Sequence, residues 1–333
     1  MRASGAARAD DYEDATAAAR RGDYATALKL LSPLAQKGNA NAQTNLGTMY
    51  HDGLGVAQDL KEAGKWERLA ADQGLVQAQY NLGVMYRNGD GVAQNYKEAM
   101  RWYRLAAAQG DAAARSNLGT MYNQGLGVAQ NYKEASRWYR LAADQGDAAA
   151  QSNLGKMYFG GKGVPQDYKE AVKWYRLAAD QSNAYAQYNL GSMYYRGNGV
   201  AQDYKEASRW SRAAADQGLA LAQYDLGTMY VEGNGVAQDY KEAVKWFRLA
   251  ADRGLPKAQY NLGVMYGQGQ GVPPDYVRAH MWLNLAAASL SGDEREKATS
   301  NLEFVSKNMT PAQIEQAQEM ARKCQESNFK NCD

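Results

Sequence analysis

A frame of 36 residues recurs along most of this chain and constrains its fold more than any other feature. The stretch MYRNGDGVAQNYKEAMRWY at 85–103 returns in related form at residues 49, 121, 157, 193, 229 and 265. The tryptophans of the chain all occupy one position of this frame: Trp66, Trp102, Trp138, Trp174, Trp210, Trp246 and Trp282. A repeat of this length buries its apolar face only against neighbouring copies, so residues 40–291 are interpreted as seven stacked units of one elongated domain.

Each unit is predicted to contain two helices joined by a glycine-containing turn. In the second unit, Ala78, Leu82 and Tyr86 recur at helical spacing and define one apolar face. Asn95 is a candidate N-cap of the second helix, and Glu98 stands three residues later, which is the spacing of a capping box. The pattern predicts an all-α protein.

The two ends of the chain depart from the repeat. Residues 10–39 predict an N-terminal helix pair with a break at Gly22-Asp23, and residues 292–333 predict a C-terminal helical cap with Thr310 as an N-cap. Residues 1–9 are similar to the end of a secretory signal that lacks its apolar core, and a disordered tail is the alternative.

The repeated unit resembles the Sel1-like repeat, a relative of the tetratricopeptide repeat. Ala78 to Gly110 fit the pattern A-x-x-x-L-G-x-x-Y-x-x-G-x-G-V-x-x-D/N-Y-x-x-A-x-x-W-Y-x-x-A-A-x-x-G, with local departures at Gly64, Ser182 and Arg278. The resemblance implies a right-handed α/α superhelical solenoid of helix-turn-helix repeats. It also implies a non-catalytic scaffold or adaptor, often at the bacterial envelope. By analogy with related solenoids, the first helices are expected to line a concave groove.

The NGDG loop at 88–91 has three candidate explanations. A dinucleotide loop requires a third glycine where Gln94 stands. A calcium loop requires oxygen ligands at fixed steps, yet other units carry Leu54 or Lys162 at the position of Asp90. The part that recurs is Gly-x-Gly-Val, which indicates a tight turn between helices.

A basic ladder follows the second helices and is interpreted as a solvated outer ridge, with binding of an anionic polymer as the alternative. It comprises Lys97, Arg101 and Arg104 and their equivalents Lys133, Arg137, Arg140, Lys169, Lys173 and Arg176. The chain as a whole has 38 basic and 36 acidic residues, which argues against nucleic acid as a partner. No apolar run approaches the roughly 18 residues of a membrane span.

Enzyme motifs are sparse. The only histidines, His51 and His280, lie far apart in the repeat frame and lack cysteine partners at metal spacing, so we expect no metal site and no cofactor. The rival enzyme class is β-lactam hydrolysis, described for some cysteine-rich members of the resembled family. Here the cysteine pair per repeat is missing, and the one S-x-x-K, from Ser327 to Lys330, lacks the accompanying motifs.

Positions of the first helix that vary between units are the candidate partner-binding residues, on the argument that no packing partner dictates them. Tyrosine is enriched there in units five to seven, and it offers large contact area at low entropic cost. The candidates are Tyr80, Arg87, Tyr185, Tyr188, Tyr195, Tyr224 and Tyr260, with Asn153, Asn189 and Asn261 as holders of a peptide backbone. We expect a peptide or protein ligand. An envelope polysaccharide and a merely unconstrained surface are the alternatives.

The two cysteines bear on the cellular compartment. Cys324 and Cys332 are close enough in sequence for a disulfide to close a short loop in an oxidising compartment, although pairing is not required. Together with the N-terminal segment they favour a periplasmic or secreted protein over a cytoplasmic one. We expect a monomer.

Overall fold

The computed structural model describes residues 9–330 and 332, and these residues form 18 helices with no strand among them. The sequence-based expectation for residues 1–9 therefore lies almost entirely outside the described residues. None of the described helices is both long and apolar enough to span a bilayer.

The chain divides into two compact units, and each is described by itself. The N-terminal unit ends at Gln166 and the C-terminal unit begins at Asp167. In the N-terminal unit the helices are α1 (Ala9–Arg20), α2 (Tyr24–Gln36), α3 (Ala40–Asp52), α4 (Leu60–Asp72), α5 (Val76–Asn88), α6 (Tyr96–Ala108), α7 (Ala112–Gln124), α8 (Tyr132–Ala143) and α9 (Ala148–Gly160). In the C-terminal unit they are α10 (Tyr168–Asp180), α11 (Ala184–Arg196), α12 (Tyr204–Asp216), α13 (Ala220–Glu232), α14 (Tyr240–Ala251), α15 (Pro256–Gln268), α16 (Tyr276–Ser289), α17 (Gly292–Ser306) and α18 (Pro311–Glu326).

Within each unit, helices that follow each other in sequence pack together as far as α17, whereas α18 packs against α16. The core of every repeat combines small and large side chains, such as Ala78, Leu82 and Met85 of α5 with Ala99 and Tyr103 of α6. A glycine in the middle of the first helix lets the second helix approach closely. A Cβ atom on Gly83 would lie only 2.6 Å from the ring of Tyr103.

The Gly-x-Gly-Val loops are turns, as predicted. Gly89 ends α5 in the left-handed conformation with φ of 88°. Gly91, with φ of 69°, lies so close to the start of α4 that a Cβ atom there would be 1.9 Å from the carbonyl oxygen of Leu60. The first glycine therefore reverses the chain, and the second allows contact with the preceding repeat.

The expected capping boxes are only half formed in the repeats. The side chain of Asn95 accepts hydrogen bonds from the backbone N–H groups of Lys97 and Glu98, as predicted. Its own N–H donates to the carbonyl of Tyr86 at 2.8 Å instead of to Glu98, because the loop returns to the end of the first helix. The reciprocal box forms at Thr310 and Gln313 of α18.

The basic ladder is partly structural rather than a purely solvated ridge. Arg101 forms an ion pair with Glu98 at 3.3 Å on the surface, but Arg104 donates to the hydroxyl of Tyr122 in the next repeat at 3.0 Å. Equivalent pairs connect Arg68 to Tyr86, Arg140 to Tyr158, Arg176 to Tyr194, Arg212 to Tyr230 and Arg248 to Tyr266.

Buried glutamines make a second connection between repeats, which the sequence analysis did not assign. Gln79 is 4% exposed, and its Nε2 donates to the carbonyl of Ala71 at the end of α4. Gln187 makes the same bond to Ala179 at 3.1 Å, and Arg115 replaces glutamine in the third repeat with a bond to Ala107. Each bond adds a second donor to a helix-end carbonyl that also accepts from a backbone N–H of the following turn, as Ala71 does from Gly74 at 2.9 Å.

Ser182 allows the turn geometry to be tested, because it adopts φ of 63° where five of the other repeats have glycine. Left-handed backbone costs a residue with a Cβ atom roughly 1–2 kcal/mol. Glycine avoids this cost but loses more conformational entropy on folding, so the net gain in stability from glycine is smaller. We expect Ser182→Gly to raise the free energy of unfolding by about 0.5–1 kcal/mol in chemical denaturation. Gly146→Ser is the matched control, since φ is 94° there and no atom lies within 4 Å of the place that a Cβ atom would take; it should lower stability by a similar amount. Equal stability of all three proteins would contradict this explanation.

Candidate functional site

The tyrosines predicted to bind a partner recur along the first helices of the C-terminal unit. Tyr188 lies in α11, Tyr224 in α13 and Tyr260 in α15, and all three are half-buried. The ring of Tyr224 packs 5.8 Å from that of Phe247, and Asn301 Nδ2 donates to the hydroxyl of Tyr260 at 2.9 Å. Contrary to the sequence-based expectation, these rings have packing partners, and only part of each remains available to a ligand.

Two other tyrosines of α11 differ from each other. Tyr195, at the end of the helix, donates from its hydroxyl to Glu232 Oε2 at 2.9 Å, and its ring meets the edge of Tyr204 at 5.1 Å. This links α11 to the end of α13. Tyr185 is 64% exposed, the most exposed of the candidate tyrosines.

Two cavities of the C-terminal unit bring several of these residues together. The first, of about 150 Å³, is lined by Tyr195, Arg196, Ser211, Tyr224 and Asp225, among others. The second, of about 160 Å³, is lined by Tyr224, Tyr260, Asn261, Lys257 and Glu294, among others. Tyr224 borders both cavities, so Tyr195, Tyr224 and Tyr260 belong to one continuous surface. Tyr185, Tyr188 and Asn189 line neither cavity.

The first cavity exists because a ring is missing. Second helices place a ring against the glycine of the first helix, as Phe247 does at Gly227. At the equivalent position of the fifth repeat stands Ser211, whose hydroxyl oxygen would lie 2.9 Å from a Cβ atom on Gly191. The smaller side chain leaves space beside Tyr224.

Asp225 places a carboxyl group in the lining of the first cavity. It replaces the asparagine found at this position in the other repeats, and burial raises its pKa to about 6, although Arg196 opposes the shift. Burial also raises the pKa of Tyr188 and Tyr224. The cavity therefore combines one guanidinium, one half-buried carboxyl group and the rings of Tyr195 and Tyr224.

The remaining candidates lie in the N-terminal unit. Tyr80 is half-buried with its ring 5.9 Å from that of Tyr103. Arg87 Nη1 donates to Asn117 Oδ1 at 2.8 Å, so this side chain is engaged with the next first helix. Asn153 is half-buried in α9. These residues form no continuous surface with one another that the structure describes.

Metal-binding chemistry has no assembled centre among residues 9–330 and 332. No three His, Cys, Asp or Glu side chains in that range are grouped as metal ligands. The hydroxyl of Ser327 donates to the carbonyl of Cys324 at 2.9 Å and caps the end of α18. Cys324 and Cys332 form a disulfide with their Cα atoms 4.6 Å apart.

Comparisons with known proteins agree with the repeat geometry. The Sel1 repeat family matches seven consecutive segments, at 40–75, 76–111, 112–147, 148–183, 184–219, 220–255 and 256–289. A Sel1 repeat protein from Oxalobacter formigenes is 33% identical over 73% of this chain and 97% of its own, with a TM-score of 0.67. A protective antigen present in uropathogenic Escherichia coli strains, with an SLR fold, is 32% identical over 97% of this chain and 85% of its own, with a TM-score of 0.48. No curated protein matches the chain.

Proposed function

Because this chain belongs to the Sel1 repeat family, we propose that it is a non-catalytic scaffold that binds a peptide or protein along the first helices of its C-terminal unit. The observation that supports this proposal is the continuous surface of Tyr195, Tyr224 and Tyr260 around two cavities. Partly exposed tyrosine rings beside small cavities are typical of the anchoring points of protein interfaces.

The binding mechanism is complementarity with a preformed surface. The rings of Tyr224 and Tyr260 are held by Phe247 and Asn301, so a partner does not have to order them on binding. Arg196 and Asp225 beside Tyr224 supply a donor and an acceptor for a polar group of the ligand. Recognition of an extended segment is favoured because the two cavities follow one another along successive first helices.

The double variant Tyr224→Ser/Tyr260→Ser tests this assignment, since serine already occupies the same position as Ser116 and Ser152. In affinity capture from the native host, quantified by mass spectrometry, we expect specific partners to fall at least about tenfold, equivalent to about 1.4 kcal/mol. Circular dichroism and thermal unfolding must show the variant folded.

The matched control is Leu249→Ser, which changes a 41%-exposed leucine of a second helix. It should retain every partner. If the double variant retains the partners and Leu249→Ser loses them, the binding surface lies on the second helices instead. If glycan digestion rather than the tyrosine changes removes them, the ligand is a polysaccharide.

We also propose that the protein works in the periplasm or outside the cell. The disulfide between Cys324 and Cys332 supports this, because such bonds persist in oxidising compartments. Fractionation of the native host should recover the protein outside the cytoplasm, and maleimide should label both cysteines only after reduction. Recovery in the cytoplasm with freely labelled thiols would contradict the proposal.

A further inference from the structure

A cavity of about 290 Å³ lies in the N-terminal unit between α3, α4 and α5. Its polar lining comprises Thr48, His51 and Asp52 of α3, Glu67 of α4, Tyr80 and Asn81 of α5, and Asp90 of the following loop. This cavity uses none of the tyrosines of the C-terminal unit, so it is independent of the function proposed above.

Glu67 creates this cavity by replacing a ring. Its position is occupied by Tyr103, Tyr139, Tyr175 and Phe247 in other repeats, where the ring of Tyr103, for example, fills the space beside Gly83. In the first repeat the narrower side chain of Glu67 stands beside Gly47 instead, with its Cγ 3.1 Å from the position of a Cβ atom on that glycine. In the first repeat a carboxyl group therefore takes the place of the aromatic ring.

The carboxyl group of Glu67 is incompletely satisfied. The side chain is 3% exposed, and its Oε1 accepts a hydrogen bond from Asn81 Nδ2 at 2.9 Å. Its Oε2 is buried and makes no hydrogen bond among the described residues, and the nearby hydroxyl of Thr44 is buried and unpartnered as well. Burial raises the pKa of Glu67 to about 7, against the opposing effects of Asn81, Thr44 and His51. A buried acid with an unused oxygen is costly unless a ligand supplies the missing partner.

The charges around the cavity are mainly acidic. Asp52 Oδ1 lies 2.6 Å from His51 Nδ1, and Asp90 Oδ2 accepts from Asn88 Nδ2 at 3.0 Å. No lysine or arginine is among the residues that line the cavity. Glu67, Asp52 and Asp90 therefore favour a cation.

The form of the cavity favours an organic cation over a metal ion. No three acidic or histidine side chains within the described range come together as metal ligands. Val84 and Met85 add apolar lining, and the ring of Tyr80 offers a surface for a side-chain stem or a guanidinium plane. A guanidinium or ammonium group supplies several N–H donors, which suits the unused oxygen of Glu67.

We propose that this cavity binds the side chain of an arginine or lysine presented by a partner peptide, with its cationic end beside Glu67 and its stem beside Tyr80. The ligand is held by ionised Glu67, so binding displaces the proton that this group carries at lower pH. Affinity should consequently rise about tenfold between pH 6 and pH 8, the change in the ionised fraction of an acid with a pKa of about 7.

The test is calorimetric titration of the full chain with the peptide Ac-Gly-Arg-Gly-NH2, its lysine counterpart and its citrulline counterpart, which is similar in shape to arginine but neutral. We expect a basic peptide to bind at least about tenfold more tightly than the citrulline peptide. Glu67→Gln, which keeps an acceptor for Asn81, should reduce that affinity at least about tenfold. Glu67→Tyr restores the residue of the neighbouring repeats and should abolish binding by filling the cavity.

Two controls separate this proposal from general effects. Ser211→Tyr fills the cavity of the C-terminal unit and should leave binding of the basic peptide unchanged. His51→Gln should retain the rise in affinity with pH, because Glu67 is its main source. The proposal is overturned if neither basic peptide binds, if arginine and citrulline peptides bind equally, or if Glu67→Gln binds as the wild type does.

Discussion

The close contact between a first-helix glycine and the second-helix side chain opposite it, most often an aromatic ring, determines how the repeats are filled. Gly83 and Tyr103 are so near that no Cβ atom fits between them, and Gly119 and Tyr139 repeat the arrangement. The ring occupies the space that a side chain on the glycine would fill, so the two residues pack as a complementary pair. Where Glu67 or Ser211 replaces the ring, a cavity opens beside the first helix, whereas Leu283 fills the same place beside Gly263 in the seventh repeat. Both cavities proposed as binding sites thus arise at local exceptions to a repeated packing rule.

Polar contacts connect one repeat to the next within each unit. Buried Gln79 and Gln187 bond to the end of the preceding second helix, and Arg104 bonds to Tyr122 of the following first helix. These bonds use side chains that recur at the same position of the frame. They hold successive first helices in register, and this register brings Tyr224 and Tyr260 to one surface.

Much of the fold could be predicted from the sequence because periodicity reports packing directly. The spacing of Ala78, Leu82 and Tyr86 indicated the first helix, and Gly89 and Gly91 indicated the turn, since each is a local requirement. The reciprocal role of Glu98 was wrong, because the N–H of Asn95 finds the carbonyl of Tyr86 through the tertiary path of the loop. Local spacing carries no information about that path.

The candidate sites were less accessible to sequence reasoning. Variation at Tyr188 and Tyr224 indicated freedom from packing, yet neighbouring side chains bury half of each ring. The N-terminal cavity could have been found from the sequence, because Glu67 is the only acidic residue at its position of the repeat frame. The presence of an acid there indicates a cavity only once it is known that Gly47 lies opposite Glu67, and this pairing of two positions is a tertiary contact.

The ionisation state of the Glu67 carboxyl group tests most directly whether an absent ring creates a binding cavity. Carbon-13 NMR of the side-chain carboxyl groups, with Glu67 assigned by its disappearance in Glu67→Gln, measures this state through a pH titration. A midpoint of about 7 is predicted for a carboxyl group buried in place of a ring. A midpoint near the ordinary value of 4.5 would show that water reaches Glu67 and would contradict this view of the repeat.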